Sequence, residues 1–229
     1  MDRAAVNAEF PFAEIVYASV DPAFLVKLTA FGANIPHNIK DSSIPGADFI
    51  FCFSNPESRP LSLRLYLSWE HLSGCGALGD GKTWSDRTGN GIKPVWKKEN
   101  VGLFFYPGRG AAAPCNAVGE YALMVKKSKR VRTNMFWWNV LEGQEGFLKA
   151  VNENAAGNST GEVLSGRFEA MPKGCEGSFH PAGVLSLETT LLPGEQLALP
   201  AALAWYMPHH FTGADSGMDE EMQRRRGTG

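Results

Sequence analysis

The sequence of residues 44–74, IPGADFIFCFSNPESRPLSLRLYLSWEHLSG, decides the fold class of this chain. Apolar side chains occupy every second position in both halves, and they are Ala47, Phe49, Phe51, Phe53, then Leu61, Leu63, Leu65, Leu67 and Trp69. Such alternation is typical of half-buried β-strands, because only a strand puts every second side chain on one face. Residues 55–60 between the runs contain two prolines and have the composition of a turn. We therefore predict an antiparallel hairpin around which the remaining sheet is built.

Similar patterns recur on both sides of this hairpin. They predict strands at residues 13–17, 24–31, 101–106, 119–125, 131–140, 183–191 and 195–207. Residues 119–125 and 131–140 are predicted to pair, with the basic run 126–130 as a solvated hairpin tip. We expect a turn at Leu192-Pro193-Gly194, a polar loop at 32–46, a long irregular loop at 70–100 and a short helix near 146–152. About nine strands result, all antiparallel.

Composition supports an all-β protein without a global electrostatic field. The 229 residues include 25 Gly, 14 Pro and 14 Phe, and 22 basic residues nearly balance 24 acidic ones. This balance argues against recruitment of nucleic acid or of an anionic membrane. The predicted fold is an antiparallel β-sandwich of about nine or more strands with long Gly-rich loops. We expect one domain at residues 10–211, an N-terminal extension at 1–9 and a disordered tail at 212–229.

Cysteine spacing and hydropathy exclude several further classes. The four cysteines, Cys52, Cys75, Cys115 and Cys175, have no C-x-x-C spacing, which argues against zinc ribbons and disulfide scaffolds. We expect no metal and no cofactor. The first residues resemble no signal peptide, and no stretch reaches about 18 apolar residues. These features predict a chain without a transmembrane segment and a cytoplasmic location.

A phosphate-binding motif is the strongest competing signal. Residues 76–83, GALGDGKT, fit the P-loop pattern G-x-x-x-x-G-K-[ST]. A P-loop holds phosphates on the amides of a helix that begins at its lysine and threonine. Here Gly89, Gly91 and Pro94 follow closely, and they oppose a helix by roughly 1 kcal/mol per glycine and about 3 kcal/mol for the proline. We expect no helix, and a nucleotide-binding protein is the least favoured function.

Four residues are candidates for carbohydrate binding or for contact with another domain. Glu70 and His71 lie at the end of the predicted central strand, and Trp84 and Asp86 lie in the Gly-rich loop that follows. Tryptophan can stack on the face of a sugar, and paired carboxylates cleave glycosides when they lie about 5 to 10 Å apart. The sequence does not give such distances, so most acidic residues are expected to be solvated surface residues. Trp69 and Trp205, which keep the strand period, are expected to pack in the core.

Several segments, in order, resemble the N-terminal domain of glycoside hydrolase family 116, which includes the bile-acid β-glucosidase or non-lysosomal glucosylceramidase. They cover most of residues 10–208 and are PFAEIVY (11–17), LTAFGANIPHNIKDSSIPGADFIFCFSNP (28–56), LSLRLYLSWEHLSG (61–74), GEYALMV (119–125) and LPGEQLALPAALAWYMP (192–208). Five matches in one order are more specific than the single P-loop match.

The resemblance implies a β-sandwich that packs against a C-terminal α-helical toroid. In complete family members the toroid holds a glutamate nucleophile and an aspartate acid/base, and no segment of this chain resembles it. We therefore expect a non-catalytic domain, or fragment, that supports a separate catalytic domain, with no catalytic residue in this chain. The implied ligand of the whole enzyme is a glucoside or a glucosylceramide-type glycan. The alternative is a free-standing carbohydrate-binding module that uses the glycine and tryptophan loop.

Overall fold

The computed structural model describes residues 3–71, 73, 75–77, 83–85, 90–108, 119–128, 130–156, 166–167 and 179–206. Within these ranges the chain is mainly strand. In order, the strands are β1 Arg3–Glu9, β2 Phe12–Val20, β3 Ala23–Phe31, β4 Gly46–Ser54, β5 Leu61–Glu70, β6 Cys75–Ala77, β7 Thr83–Ser85, β8 Gly91–Trp96, β9 Asn100–Tyr106, β10 Glu120–Lys126, β11 Val131–Asn139, β12 Gly166–Arg167, β13 Phe179–Leu191 and β14 Gln196–Tyr206. Two helices, α1 Ile39–Ser42 and α2 Gly143–Ala156, and a 3-10 turn at Val140–Glu142 accompany them.

Two sheets face each other across the core. In the described part of the chain, the large sheet has the order β1-β2-β3-β4-β14-β10-β9-β8-β12, and the small sheet has the order β11-β13-β5. Each strand pairing in both sheets is antiparallel. The predicted class, an all-β antiparallel sandwich, is confirmed.

The predicted hairpin of residues 44–74 is wrong in its pairing, although both strands are present. β4 pairs with β3 and β14 in the large sheet. β5 pairs with β13 in the small sheet. Residues 55–60 therefore carry the chain from one sheet to the other, and the apolar faces of β4 and β5 meet across the core instead of lying side by side.

The predicted pairing of residues 119–125 with 131–140 is wrong for the same reason. β10 pairs with β9 and β14, whereas β11 pairs with β13. The basic segment between them also crosses from the large sheet to the small one. An alternating pattern predicts that one face of a strand is buried. It does not predict whether the next strand pairs with it in the same sheet or lies in the facing sheet.

Other expectations are confirmed in part. The turn before β14 forms, with Gly194 at φ +72° and the Glu195 amide donating to the Leu192 carbonyl at 2.9 Å. The helix expected near 146–152 is longer, and the expected loop at 32–46 contains α1. β1, β6, β7, β8 and β12 were not predicted. The tail at 212–229 lies outside the described residues.

The core is densest where β8, β9 and β10 face β11 and β13. Ile92, Val101, Leu103 and Phe105 have no exposed surface there. Trp69 packs against this cluster, as expected, whereas Trp205 is 38% exposed. Gly183 on β13 allows the close approach of the sheets, because a Cβ atom there would lie 2.8 Å from the side chains of both Leu103 and Phe105.

Helix α2 covers part of the outer face of the small sheet. Phe147 and Val151 lie one turn apart on the helix and pack with Phe136 and Val184. Phe147 also makes an edge contact with Tyr66 of β5, with ring centroids 6.5 Å apart. This face is therefore apolar beneath the helix. In the described ranges, neither helix is long and apolar enough to cross a membrane.

The large sheet extends beyond the small one. β5 is the last strand of the small sheet in the described residues, and its Leu63 and Leu65 belong to one cluster with Val26 of β3, Phe53 of β4 and Leu197 of β14. At the edge of the large sheet, every residue of β1 is exposed. The cover that β5 gives to the large sheet therefore does not reach β1.

Candidate functional site

The end of β5 holds two of the four predicted site residues. Glu70 is the last residue of β5, and the backbone amide of His71 donates to the carbonyl of Pro181 on β13 at 2.7 Å. Trp84 lies in β7, which pairs with β6 so that Trp84 stands opposite Gly76. Asp86 lies outside the described residues. Glu70 and His71 are thus neighbours at the end of β5, and the backbone of Trp84 lies in β7.

Glu70 lies against a histidine from the neighbouring strand. Its Oε1 atom lies 2.6 Å from Nδ1 of His180, and the two side chains are 29% and 24% exposed. In the register of the two strands Glu70 stands opposite Ala182, so His180 is its diagonal neighbour on the same face. Because Glu70 and His180 are 110 positions apart, no local sequence pattern predicts their contact.

His71 points the other way, into the protein, and is fully buried. Its Nε2 atom lies 3.1 Å from the carbonyl oxygens of both Gly91 and Tyr106, and its Nδ1 atom lies 3.2 Å from the Tyr121 hydroxyl. Carbonyl oxygens only accept hydrogen bonds, so Nε2 carries the proton and Nδ1 accepts from Tyr121. The neutral ring therefore bridges β8, β9 and β10.

Two further buried residues extend this network to the chain segments beyond the strands. The Ser73 amide donates to the Tyr121 hydroxyl at 2.7 Å, and the Asn90 side-chain amide donates to the Ser73 carbonyl at 2.6 Å. The Gly108 amide donates to Asn90 Oδ1 at 2.9 Å. Buried polar groups are stable only when such partners are supplied. The network therefore anchors the segments that enter and leave the Gly-rich region.

Chemically, the end of β5 offers one carboxylate–imidazole pair backed by a structural network. Glycoside hydrolysis by the usual routes uses two carboxyl groups that flank the scissile bond. The Oε1 atom of Glu70 lies 2.6 Å from the imidazole of His180. Among the described residues, no group of three His, Cys, Asp or Glu side chains is arranged to hold a metal ion.

The last residue of the P-loop match begins a strand, where a phosphate-binding loop would lead into a helix. Thr83 begins β7, which pairs antiparallel with β6, and Ala77 stands opposite Thr83. A P-loop threonine lies in the first turn of a helix whose amides hold the phosphates. The expectation that no helix forms after the motif is confirmed for residues 83–85.

A polar groove on the outer face of the small sheet contains two arginines that are already engaged. The Arg64 Nε atom lies 2.9 Å from Glu188 Oε1, and Arg130 Nη1 donates to Thr189 Oγ1 at 2.9 Å. A side-chain hydrogen bond with Tyr66, together with attraction to Glu188, raises the pKa of Arg64 above its ordinary value. Both guanidinium groups thus have partners within the chain, which disfavours an anion site here.

Comparisons with known proteins give distant structural matches and one family match. The solved structures that resemble the chain include a putative kojibiose phosphorylase from the human microbiome, with a TM-score of 0.40 and 9% identity over 95% of this chain and 21% of that one. A family 36 α-galactosidase from Geobacillus stearothermophilus, solved in complex with stachyose, has a TM-score of 0.35 and 11% identity over 89% of this chain and 25% of that one. The chain therefore spans a quarter or less of their length. No curated protein sequence matches it.

A family model gives a direct assignment. The model described as beta-glucosidase 2, glycosyl-hydrolase family 116 N-term, matches residues 2–225, which is nearly the whole chain. The match covers all the segments on which the resemblance was based. The chain belongs to the family of N-terminal domains of glycosyl-hydrolase family 116.

Proposed function

We propose that this chain is the non-catalytic β-sandwich of a β-glucosidase or glucosylceramidase-like enzyme and that it supports a C-terminal helical-toroid catalytic domain. The observation that carries the proposal is the family match over residues 2–225. The pairing of Glu70 with an imidazole is compatible with it, because a glycosidase site needs two carboxyl groups around the bound sugar.

The absence of intrinsic catalysis is tested with the purified 229-residue chain and an aryl β-glucoside. We expect release of the aryl group at the uncatalysed rate, for the wild type and for Glu70→Gln alike. Hydrolysis by the wild type that disappears in Glu70→Gln would show a catalytic role for this carboxylate and would refute the proposal.

The role of the predicted site residues is tested on a glycan array that includes glucosides and glucosylceramide head groups. If the chain is a supporting domain, we expect no glycan binding that depends on Trp84, on Asp86 or on Glu70 and His71 at the end of β5. A free-standing carbohydrate-binding module would instead show glycan binding that Trp84→Ala abolishes. Trp96→Ala is the matched control, since Trp96 is 49% exposed on β8, outside the Gly-rich loop.

The proposed link to a catalytic domain is tested by sequencing the gene that encodes this chain. We expect the reading frame to continue past codon 229 into a sequence that encodes a helical toroid, and a stop codon there would contradict this part of the proposal.

A cytoplasmic location is also part of the proposal. Fractionation of cells that carry the tagged protein tests it, and recovery with a membrane or secreted fraction would contradict it.

A further inference from the structure

An apolar cavity of about 300 Å³ lies between the two sheets. The large sheet contributes Val26, Phe51 and Leu199 to its lining, and the small sheet contributes Leu65, Leu185 and Leu187. It contains neither Glu70 nor His71. The cavity is about twice the volume of an engineered apolar cavity of roughly 150 Å³ that stays dry and binds benzene.

Burial differs between the two parts of the core. Around β9 the inward side chains of Leu103 and Phe105 are fully buried, whereas the inward side chains of Phe51, Leu65 and Leu199 are only partly buried. Protein interiors are normally packed as densely as organic crystals. The incomplete burial of these three side chains shows looser packing around the cavity, which is itself partly open to solvent.

The cavity is elongated across the strands. Its lining includes Tyr17, Val26, Phe51, Leu199 and Val125, which lie on five consecutive strands of the large sheet, β2-β3-β4-β14-β10. Four interstrand steps of about 4.8 Å give a length of about 19 Å. A cavity of about 300 Å³ with this length is narrow in cross-section, and we refer to it as the slot. A narrow slot suits a single chain of atoms better than a compact ring system.

The mouth of the slot lies beside β5. Tyr17, at this end of the lining, lies on β2, next to the edge strand β1, in which every residue is exposed. Val6, on the adjoining strand β1, is 69% exposed. A polar head group attached to a chain in the slot can remain in water at this open side.

We propose that the slot binds one unbranched alkyl chain of an amphiphile, with the chain between the sheets and the head group outside. The driving force is the transfer of methylene groups from water to a preformed apolar lining. The site is independent of the proposed role as a supporting domain, and either can fail without the other.

The test is calorimetric titration of the 229-residue protein with saturated fatty acids of 8 to 16 carbons, below their critical micelle concentrations. We expect saturable 1:1 binding that tightens about fourfold for each added methylene, the ratio that corresponds to burial of one CH₂ group. The gain should stop once the chain is longer than the slot. Binding should show a negative heat-capacity change.

A matched pair of variants locates the site. Leu199 and Leu197 lie on the same face of β14 and both pack on the core, but Leu199 lines the slot and Leu197 does not. Leu199→Phe should weaken decanoate binding at least tenfold, whereas Leu197→Phe should change it less than twofold. Leu65→Phe, which fills the slot from the other sheet, provides a second variant if Leu199→Phe does not fold.

Titration with decyl β-glucoside distinguishes two classes of ligand that carry such an alkyl chain, glycolipid-like amphiphiles and free fatty acids. Affinity equal to that of decanoate, or greater, would assign the slot to glycolipid-like amphiphiles, whereas a preference for decanoate would assign it to free fatty acids. No saturable binding at any chain length, an equal effect of both phenylalanine variants, or equally tight binding of naphthalene would each overturn the proposal.

Discussion

His71 and Tyr121 illustrate how a buried polar pair fixes the end of the sandwich. Tyr121→Phe removes the acceptor of the Ser73 amide, and His71→Leu removes the donor to two carbonyl oxygens. We expect each variant to lower the free energy of unfolding by about 1–3 kcal/mol, the cost of leaving a buried polar group without its partner. Because the two side chains share one hydrogen bond, the double variant should cost about 1 kcal/mol less than the sum.

Urea unfolding of the two single variants and the double variant measures this coupling. Tyr206→Phe is the control, because Tyr206 is 62% exposed and its hydroxyl should contribute less than about 0.5 kcal/mol. Strict additivity of His71→Leu and Tyr121→Phe would show that the 3.2 Å contact contributes nothing to stability.

Thr133 has a buried hydroxyl group whose removal should raise the free energy of unfolding. Its side chain is 8% exposed, and within the described residues its Oγ1 atom has no hydrogen-bond partner. Threonine and valine have nearly the same shape, and an unpaired hydroxyl costs about 1–3 kcal/mol to bury. Thr133→Val should therefore raise the free energy of unfolding by about 1 kcal/mol, measured by denaturant unfolding. A loss of stability would mean that the hydroxyl is satisfied in solution.

At the scale of elements, buried hydrogen bonds of Asn55 stabilise the connection between β4 in the large sheet and β5 in the small sheet. Asn55 is 1% exposed, and its side-chain amide lies within 3.1 Å of the carbonyl oxygens of Arg59, Leu191 and Leu192. It thereby joins the β4–β5 connection to the β13–β14 turn. Asn55→Leu keeps the volume but removes the donor, and we expect a loss of at least 2 kcal/mol of unfolding free energy. Asn100→Leu, at an exposed position of β9, is the control and should cost less than about 0.5 kcal/mol.

The strands were predictable from sequence, but their partners were not. The alternation in residues 44–74 correctly places Phe51 of β4 and Leu65 of β5 in the core. It contains no information on pairing, because β5 pairs with β13, more than 110 residues later. A hairpin and a crossing between facing sheets require the same alternation, and only long-range contacts distinguish them. The Glu70–His180 pair escaped prediction for the same reason.

The spacing of the sheets is set locally by one glycine. In Gly183→Ala the new methyl group would lie 2.8 Å from the side chains of Leu103 and Phe105, both fully buried and unable to yield without displacing the core. Overpacking of this kind costs about 1–3 kcal/mol. Thermal unfolding should show a lower Tm for Gly183→Ala. Gly32→Ala is the control, because its nearest contact would be an ordinary 3.9 Å from the Gly46 carbonyl, and an unchanged Tm for both variants would contradict the packing argument.

At the scale of the whole molecule, the two sides of the sandwich are built differently. The part around His71 has a dense core and a polar network, whereas the large sheet ends on the other side in the exposed strand β1. Composition and periodicity indicated a sandwich, yet they gave no sign of this asymmetry. Its cause is the unequal extent of the two sheets, which depends on strand order and hence on contacts far apart in sequence.

The last prediction concerns β1, which borders the large sheet and was assigned from sequence to an N-terminal extension. Every β1 residue is exposed, so deletion of residues 1–9 should remove little buried surface and lower the Tm by only a few degrees. The deletion leaves β2, with the sequence FAEIVYASV, as the new edge strand. Because an apolar unpaired edge is a template for association, light scattering should show faster aggregation than for the full chain. Val16→Lys in the shortened chain should reverse that effect, since a charge on an edge strand opposes edge-to-edge pairing. Global unfolding on deletion would instead show that β1 belongs to the cooperative unit and that the domain does not begin at residue 10.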